Sequence, residues 1–149
     1  MRIEEEIKQK RFANEWLKVS VNLTFTFGWS KTKLQTFFKG YGITMQQFNV
    51  LRILRGRNPE SMASHEIRDR LLDKMSDISR IITRLEKESL VTRTRRNDDR
   101  RMVDIYITPK GQDLLTVIDQ DMDTLYGFYK KLSLEEAQQL NALLDKLRG

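Results

Sequence analysis

At 149 residues the chain is long enough for one domain with a real core and too short for two comfortable ones. Its 39% apolar and 32% charged residues describe a soluble globular protein; no apolar run is long enough to span a membrane, and the lack of cysteine excludes disulfides and thiol chemistry and fits the cytoplasm. Twenty-seven Lys and Arg against 21 Asp and Glu leave a net charge of +6, which suits a polyanionic partner without requiring one.

The opening "MRIEEEIKQKR" is charged and lacks the apolar stretch of a secretory leader. Residues 4–38 read as one long helix, because Phe12, Trp16, Val19, Leu23, Phe27, Leu34 and Phe38 recur at steps of three and four. Within it "VSVNLTFTF" (19–27) alternates strictly and taken alone reads as a strand, but the helical period continues on both sides. Gly28 costs this helix about 1 kcal/mol, and "GYG" (40–42) ends it. A second helix starts at Thr44, where Thr44 and Gln47 form a capping box ahead of Phe48, Leu51 and Leu54. Residues 56–61 form a loop, and Ser64 caps a short helix, "HEIRDRLL", with Ile67 and Leu71 facing inward.

After a break near Asp73, a helix is expected from Lys74 to about Glu88. At 100° per residue Met75, Ile78, Ile82 and Leu85 cluster on one side, and Ser76, Ser79, Arg80, Thr83 and Arg84 spread over the other with Asp77 at the edge. Strands follow at 91–95 and 102–107, with Val103, Ile105 and Ile107 inward and Met102, Asp104 and Tyr106 outward. Thr108 caps a long helix with Pro109 at its first position; Leu114, Ile118, Met122, Leu125, Tyr129 and Leu132 line one side. Ser133 and Glu136 open a last helix carrying Leu140, Leu143, Leu144 and Leu147.

A short helix followed tightly by one with a hydroxyl-and-arginine face is a helix-turn-helix pattern, and a hairpin directly after it makes the winged form. A helix about 10–12 Å across fits a DNA major groove roughly 12 Å wide, where short polar side chains and arginine read base edges. Ser76, Asp77, Ser79, Arg80 and Arg84 suit that task, although Asp77 can equally favour a helix N-terminus. Between the strands, residues 93–101 crowd five arginines beside two aspartates. An arginine on a thin hairpin can enter a narrow minor groove, where negative potential is concentrated. Asp99 and Arg101, two apart on an extended segment, can pair, which leaves Arg95, Arg96 and Arg100 for phosphates.

The stretch "ITRLEKESLVTRTRRNDDRRMVDIYITPKGQDLL" (82–115) resembles the MarR-type winged helix-turn-helix regulators. The family pattern is met at Leu85, at Lys87 to Val91, at Arg93, at Asp99 with Arg101, and from Ile107 through Thr108 to Gly111. Upstream, "YGITMQQFNVLRIL" is similar to the family's second helix. Ser89 departs from it, standing where glycine is usual, so a residue with a Cβ must hold a left-handed C-cap at about 1 kcal/mol. The resemblance implies a mainly α fold with a small β-hairpin: a winged helix-turn-helix lobe over 44–108, flanked by dimerisation helices in 1–40 and 109–149. It implies that helix 74–88 is the recognition helix, that Arg101 is the minor-groove residue, and that the protein is a homodimer on double-stranded DNA. Small aromatic effectors bind family members between dimerisation helices and DNA lobe; Trp16, Phe25, Trp29, Tyr41 and Phe48 are the local aromatics, more simply read as core.

No cofactor or metal is expected: His65 stands alone, and the ligand sets of the family's zinc and peroxide sensors are missing. An enzyme is disfavoured by the lack of a nucleophile, a phosphate loop or acid–base groups in number. The expected function is an operator-binding regulator, a repressor by preference. The alternative is a winged-helix protein-interaction adaptor that does not bind DNA.

Overall fold

The computed structural model describes residues 2–95 and 103–149, and the chain falls into two compact units, Met1–Met45 and Gln46–Gly149. The first unit holds a single turn, α1 (Ile3–Glu6), and a long helix, α2 (Glu15–Lys39). The one helix expected over 4–38 is therefore interrupted. Asn14 sits in extended backbone and its side-chain oxygen accepts from the Leu17 N–H at 2.8 Å, which gives α2 a start of its own. Phe12 consequently lies outside the helix whose period it extends. Lys18 on α2 reaches back to Glu4 on α1 at 2.8 Å.

The alternating segment 19–27 is helical, as the flanking period required. Its threonines are accommodated because Thr24 donates its hydroxyl to the Ser20 carbonyl at 3.0 Å and Thr26 to the Asn22 side-chain oxygen at 3.4 Å. The helix closes at Lys39, and Gly42 takes the left-handed conformation (φ 73°) that lets the Ile43 N–H reach back to the Phe38 carbonyl at 3.3 Å. Of the expected apolar stripe only Phe38 is fully buried; Trp16 is 82% and Phe27 66% exposed.

The second unit takes up one residue into α3 (Met45–Arg55), followed by β1 (Met62–Ala63), α4 (Ser64–Arg70), α5 (Ile78–Lys87), β2 (Val91–Arg95), β3 (Val103–Ile107), α6 (Pro109–Tyr126) and α7 (Leu134–Arg148). Leu51, Leu54, Met62, Ile67, Ile78, Ile82, Leu85, Ile105, Leu115 and Ile118 are buried in its core. Arg55 on α3 grips Asp119 on α6 with two guanidinium nitrogens, at 2.6 and 3.4 Å. Both groups are partly exposed, so the pair contributes at most about 1 kcal/mol.

The sheet has three antiparallel strands in the order β1-β3-β2, one more than the hairpin expected. Met62 pairs with Ile105 and Ala63 with Asp104 on one edge of β3; Val91, Arg93 and Arg95 pair with Ile107, Ile105 and Val103 on the other. A two-residue strand carries no period to read. With β3 central, Asp104 and Tyr106 are half-buried instead of exposed. Ser64 is the first residue of α4 and not its cap; the Glu66 carboxylate instead accepts from the Ala63 N–H at 2.7 Å. That helix also stops early, leaving Leu71 buried and Leu72 84% exposed.

Thr108 caps α6 as expected, accepting from the Gly111 N–H at 3.0 Å, with Pro109 in the first turn. α6 ends at Tyr126, so Tyr129 and Leu132 lie beyond it, and Leu115 is buried in the place expected of Leu114. α7 has both bonds of its capping box, Glu136 N–H to Ser133 Oγ at 3.2 Å and Ser133 N–H to the Glu136 carboxylate at 2.8 Å. None of its residues is buried.

At Gly111 a Cβ would stand 2.4 Å from the Leu90 carbonyl oxygen and 2.9 Å from Ile107 Cγ1. Backbone cannot move aside as a flexible side chain can, so Gly111→Ala is expected to destabilise the fold by about 1–3 kcal/mol. The urea midpoint, at unchanged m value, measures it.

Candidate nucleic-acid interface

Between α4 and α5 the chain turns on Asp73. Its carboxylate accepts from the Met75 N–H (3.1 Å) and the Ser76 hydroxyl (3.0 Å), and its carbonyl accepts from the Ser76 N–H (3.2 Å). This turn occupies residues expected to be helical, and α5 begins only at Ile78. Met75, expected on the core side, lies before the helix starts, off its period, and is 92% exposed. Asp77 is the N-cap: its side chain accepts from the Arg80 N–H at 3.1 Å. Of the two roles open to it, the structure fills the local one.

From Ile78 onward the two faces separate as expected. Ile78, Ile82 and Leu85 are buried, whereas Ser79, Arg80, Thr83 and Arg84 are exposed along the other side. Thr83 donates its hydroxyl to the Ser79 carbonyl (2.9 Å) and accepts from Arg93 Nη2 (2.7 Å). Arg93 also places Nε 2.9 Å from the Glu86 carboxylate. An arginine on β2 thus holds two groups three residues apart on α5. Sequence reasoning noted Arg93 only as part of the family pattern; the signal was there in Thr83 and Glu86, which that spacing puts on one helix side.

The far end of α5 closes in a Schellman arrangement. The Leu90 N–H bonds to the Leu85 carbonyl and the Ser89 N–H to the Glu86 carbonyl, both at 2.9 Å, with Leu85 and Leu90 both buried. Ser89 takes φ 58°, the left-handed conformation expected of it. Its carbonyl accepts from the Thr108 hydroxyl at 2.8 Å, the Glu88 carbonyl accepts from Lys110 Nζ at 2.8 Å, and the Leu90 carbonyl accepts from the Thr108 N–H at 3.1 Å. The C-terminus of α5 is therefore stitched to the start of α6. Arg95 stands exposed at the end of β2; Arg96, Asp99, Arg100 and Arg101 lie outside the described residues.

Residues 32–118 match the family model of the SarA/Rot transcriptional regulators, more than half of the chain. The chain belongs to this family. Among similar proteins, the HTH-type transcriptional regulator MgrA of Staphylococcus aureus is 31% identical over 110 residues, covering 74% of this chain and 73% of MgrA. The homoprotocatechuate degradative operon repressor of Escherichia coli is 30% identical over 109 residues, 72% of each chain. A MarR transcription factor from Planctomyces limnophilus, 31% identical, superposes with a TM-score of 0.72 over 91% of this chain and 98% of that one. The MarR-type fold and a regulatory function in transcription are thereby shown.

If Asp77 acts as a cap, Asp77→Ala costs about 1 kcal/mol of stability while Asp77→Asn, which keeps the accepting oxygen, costs a few tenths. Thermal denaturation of the two variants side by side decides it; equal losses would remove the capping role.

Proposed function

We propose that this SarA/Rot-family chain represses transcription in the cytoplasm by binding, as a homodimer, an inverted-repeat operator in double-stranded DNA. The observation that carries the reading is the exposed side of α5, which presents Ser79, Arg80 and Arg84 opposite a buried Ile78–Ile82–Leu85 side. A helix of that form enters a major groove with its first turns against base edges. Ser76, Ser79 and Arg80 stand near the start of α5 and are assigned to bases, Arg84 to the groove wall. Asp77, which caps the helix, and Thr83, whose hydroxyl both donates and accepts locally, shape the surface instead of reading it, whereas Ser76 donates to Asp73 and keeps its oxygen as an acceptor for a base.

Arg95, Arg96 and Arg100 are assigned to phosphates, and Arg101, paired with Asp99, to the minor groove. Support for the dimer comes from apolar side chains left uncovered on the terminal helices: Trp16 and Phe27 on α2, and Leu143 and Leu147 on α7. Repression is supported by the E. coli relative, named as an operon repressor. That relative's operon also supports a small aromatic effector, for which no residue of this chain is assigned.

The test is selection of bound duplexes from a random pool at about 150 mM salt, with light scattering on the same sample. An enriched inverted repeat bound by a dimer supports the reading; a dimer that enriches nothing favours the protein-interaction adaptor. Binding should weaken by about 10³ or more between 50 and 200 mM salt if several phosphates are contacted.

Arg101→Ala should weaken binding to the selected duplex and leave the melting midpoint unchanged, as the minor-groove role assigned to it requires. A fluorescence-anisotropy titration reads the first and a melting curve the second; unchanged affinity would end the minor-groove role.

A further inference from the structure

A surface facing a polyanion gains nothing from an exposed carboxylate, yet Glu86 stands exposed on α5, one turn beyond Thr83 on the same side. The carboxylate is matched by Arg93, which reaches across from β2. In the sheet Arg93 lies opposite the fully buried Ile105, so the stem of its side chain sits on the sheet face that carries the core. From there Nε and Nη2, adjacent nitrogens of one planar guanidinium, take the Glu86 carboxylate at 2.9 Å and the Thr83 hydroxyl at 2.7 Å. A lysine, with one compact ammonium, cannot hold that two-point geometry.

We infer that Arg93 is a positioning residue which locks β2, the strand that runs on into the arginine segment, to the reading helix α5, so that both meet the duplex in one fixed relation. The inference rests on the DNA-binding reading above. Its positive charge is committed to Glu86, so it adds little to phosphate attraction; what it supplies is alignment. Thr83 completes the lock by donating its hydroxyl hydrogen bond to the Ser79 carbonyl, which leaves an oxygen lone pair to accept from Arg93.

Two consequences separate this role from a phosphate contact. Deleting the acid should weaken binding, although on charge alone the loss of a carboxylate near DNA strengthens it. And deleting Arg93 should leave the salt dependence intact, whereas the loss of one phosphate contact lowers the slope of log K against log salt by about 0.9.

The experiment titrates the selected duplex with the full-length protein, wild type and Arg93→Ala, Arg93→Lys, Glu86→Ala and the Arg93→Ala/Glu86→Ala double variant, each checked for folding by circular dichroism. Arg93→Ala, Arg93→Lys and Glu86→Ala are each expected to lose affinity by about three- to thirtyfold. The double variant should be no weaker than the weaker single, with the salt slope unchanged throughout. Tighter binding by Glu86→Ala overturns the inference, as does rescue by Arg93→Lys with a reduced slope for Arg93→Ala. Should Arg93→Ala not fold, Glu86→Ala, which leaves the sheet residue in place, still carries the decisive sign. A wild-type protein that enriches no duplex refutes the DNA-binding reading, and the inference with it; a wild type that binds while Glu86→Ala binds more tightly refutes the inference alone.

Discussion

The left-handed turn at Ser89 fixes where everything after helix α5 can go. Helix α5 must end abruptly for β2 to leave in the direction of the sheet, and a φ of 58° at one residue makes that reversal while the Leu90 N–H still satisfies the Leu85 carbonyl. Serine is a poor choice for such a conformation, at about 1 kcal/mol relative to glycine. The surroundings over-determine it. Thr108 holds the Ser89 carbonyl, Lys110 holds the Glu88 carbonyl, and the buried Leu85 and Leu90 pack where the motif brings them together. Thr108 is at the same time the cap of α6, so one threonine ends one helix and starts another. The missing side chain of Gly111 belongs to the same joint, since only hydrogen fits against the Leu90 carbonyl.

Electrostatics on this face is a matter of which charges are committed and which are left over. Arg93 is matched by Glu86, and α5 carries its cations, Arg84 and Lys87, in the last turn, where they complement the helix dipole. Arg80, nearer the N-terminus, gains nothing from that dipole, and only the proposed DNA contact would give it an anion there. The five arginines of 93–101 divide in the same way: Arg93 belongs to the fold, and Arg101 has Asp99 two residues away in sequence as a candidate partner. Counting positive charge alone overstates the number of contacts such a surface offers.

Much of the architecture was legible because it is written in period and punctuation. The helix through 19–27 was recoverable despite its strand-like alternation, and the caps at Thr108 and Ser133 and the strained Ser89 are where the residue types put them. What could not be read is what depends on contacts distant in sequence or on competition between neighbouring caps. Asn14 and Asp77 each start a helix later than the apolar period suggests, because a side-chain oxygen over an orphan N–H outweighs the pattern. Met75 was misplaced for that reason alone. Strand β1, two residues long, exists only because β3 offers an edge to pair with. On the exposed face of α5 the hydroxyl of Thr83 is held by Arg93, and just ahead of the helix that of Ser76 is held by Asp73, neither of which periodicity points to.

The terminal helices pose a different constraint. α7 is 15 residues long and buries none of them, although Leu140, Leu143 and Leu147 recur along it. An isolated helix of about 15 residues is marginal in water, and most helical stability in proteins comes from packing an apolar face. The capping box at Ser133 and Glu136 adds about 1 kcal/mol, too little to offset the exposure of several leucines. α2 has the same imbalance, with Trp16 and Phe27 exposed along its length. On the proposed dimer these faces are covered by the second protomer, and the order of the terminal helices then depends on protomer concentration through mass action. The core that positions α5, from Leu51 and Leu54 to Ile105 and Leu115, carries no such dependence, being buried within a single chain. Dilution would thus loosen the helices that pair two reading faces before it disturbs either face, and affinity for an inverted repeat would fall while each half-site surface stayed intact.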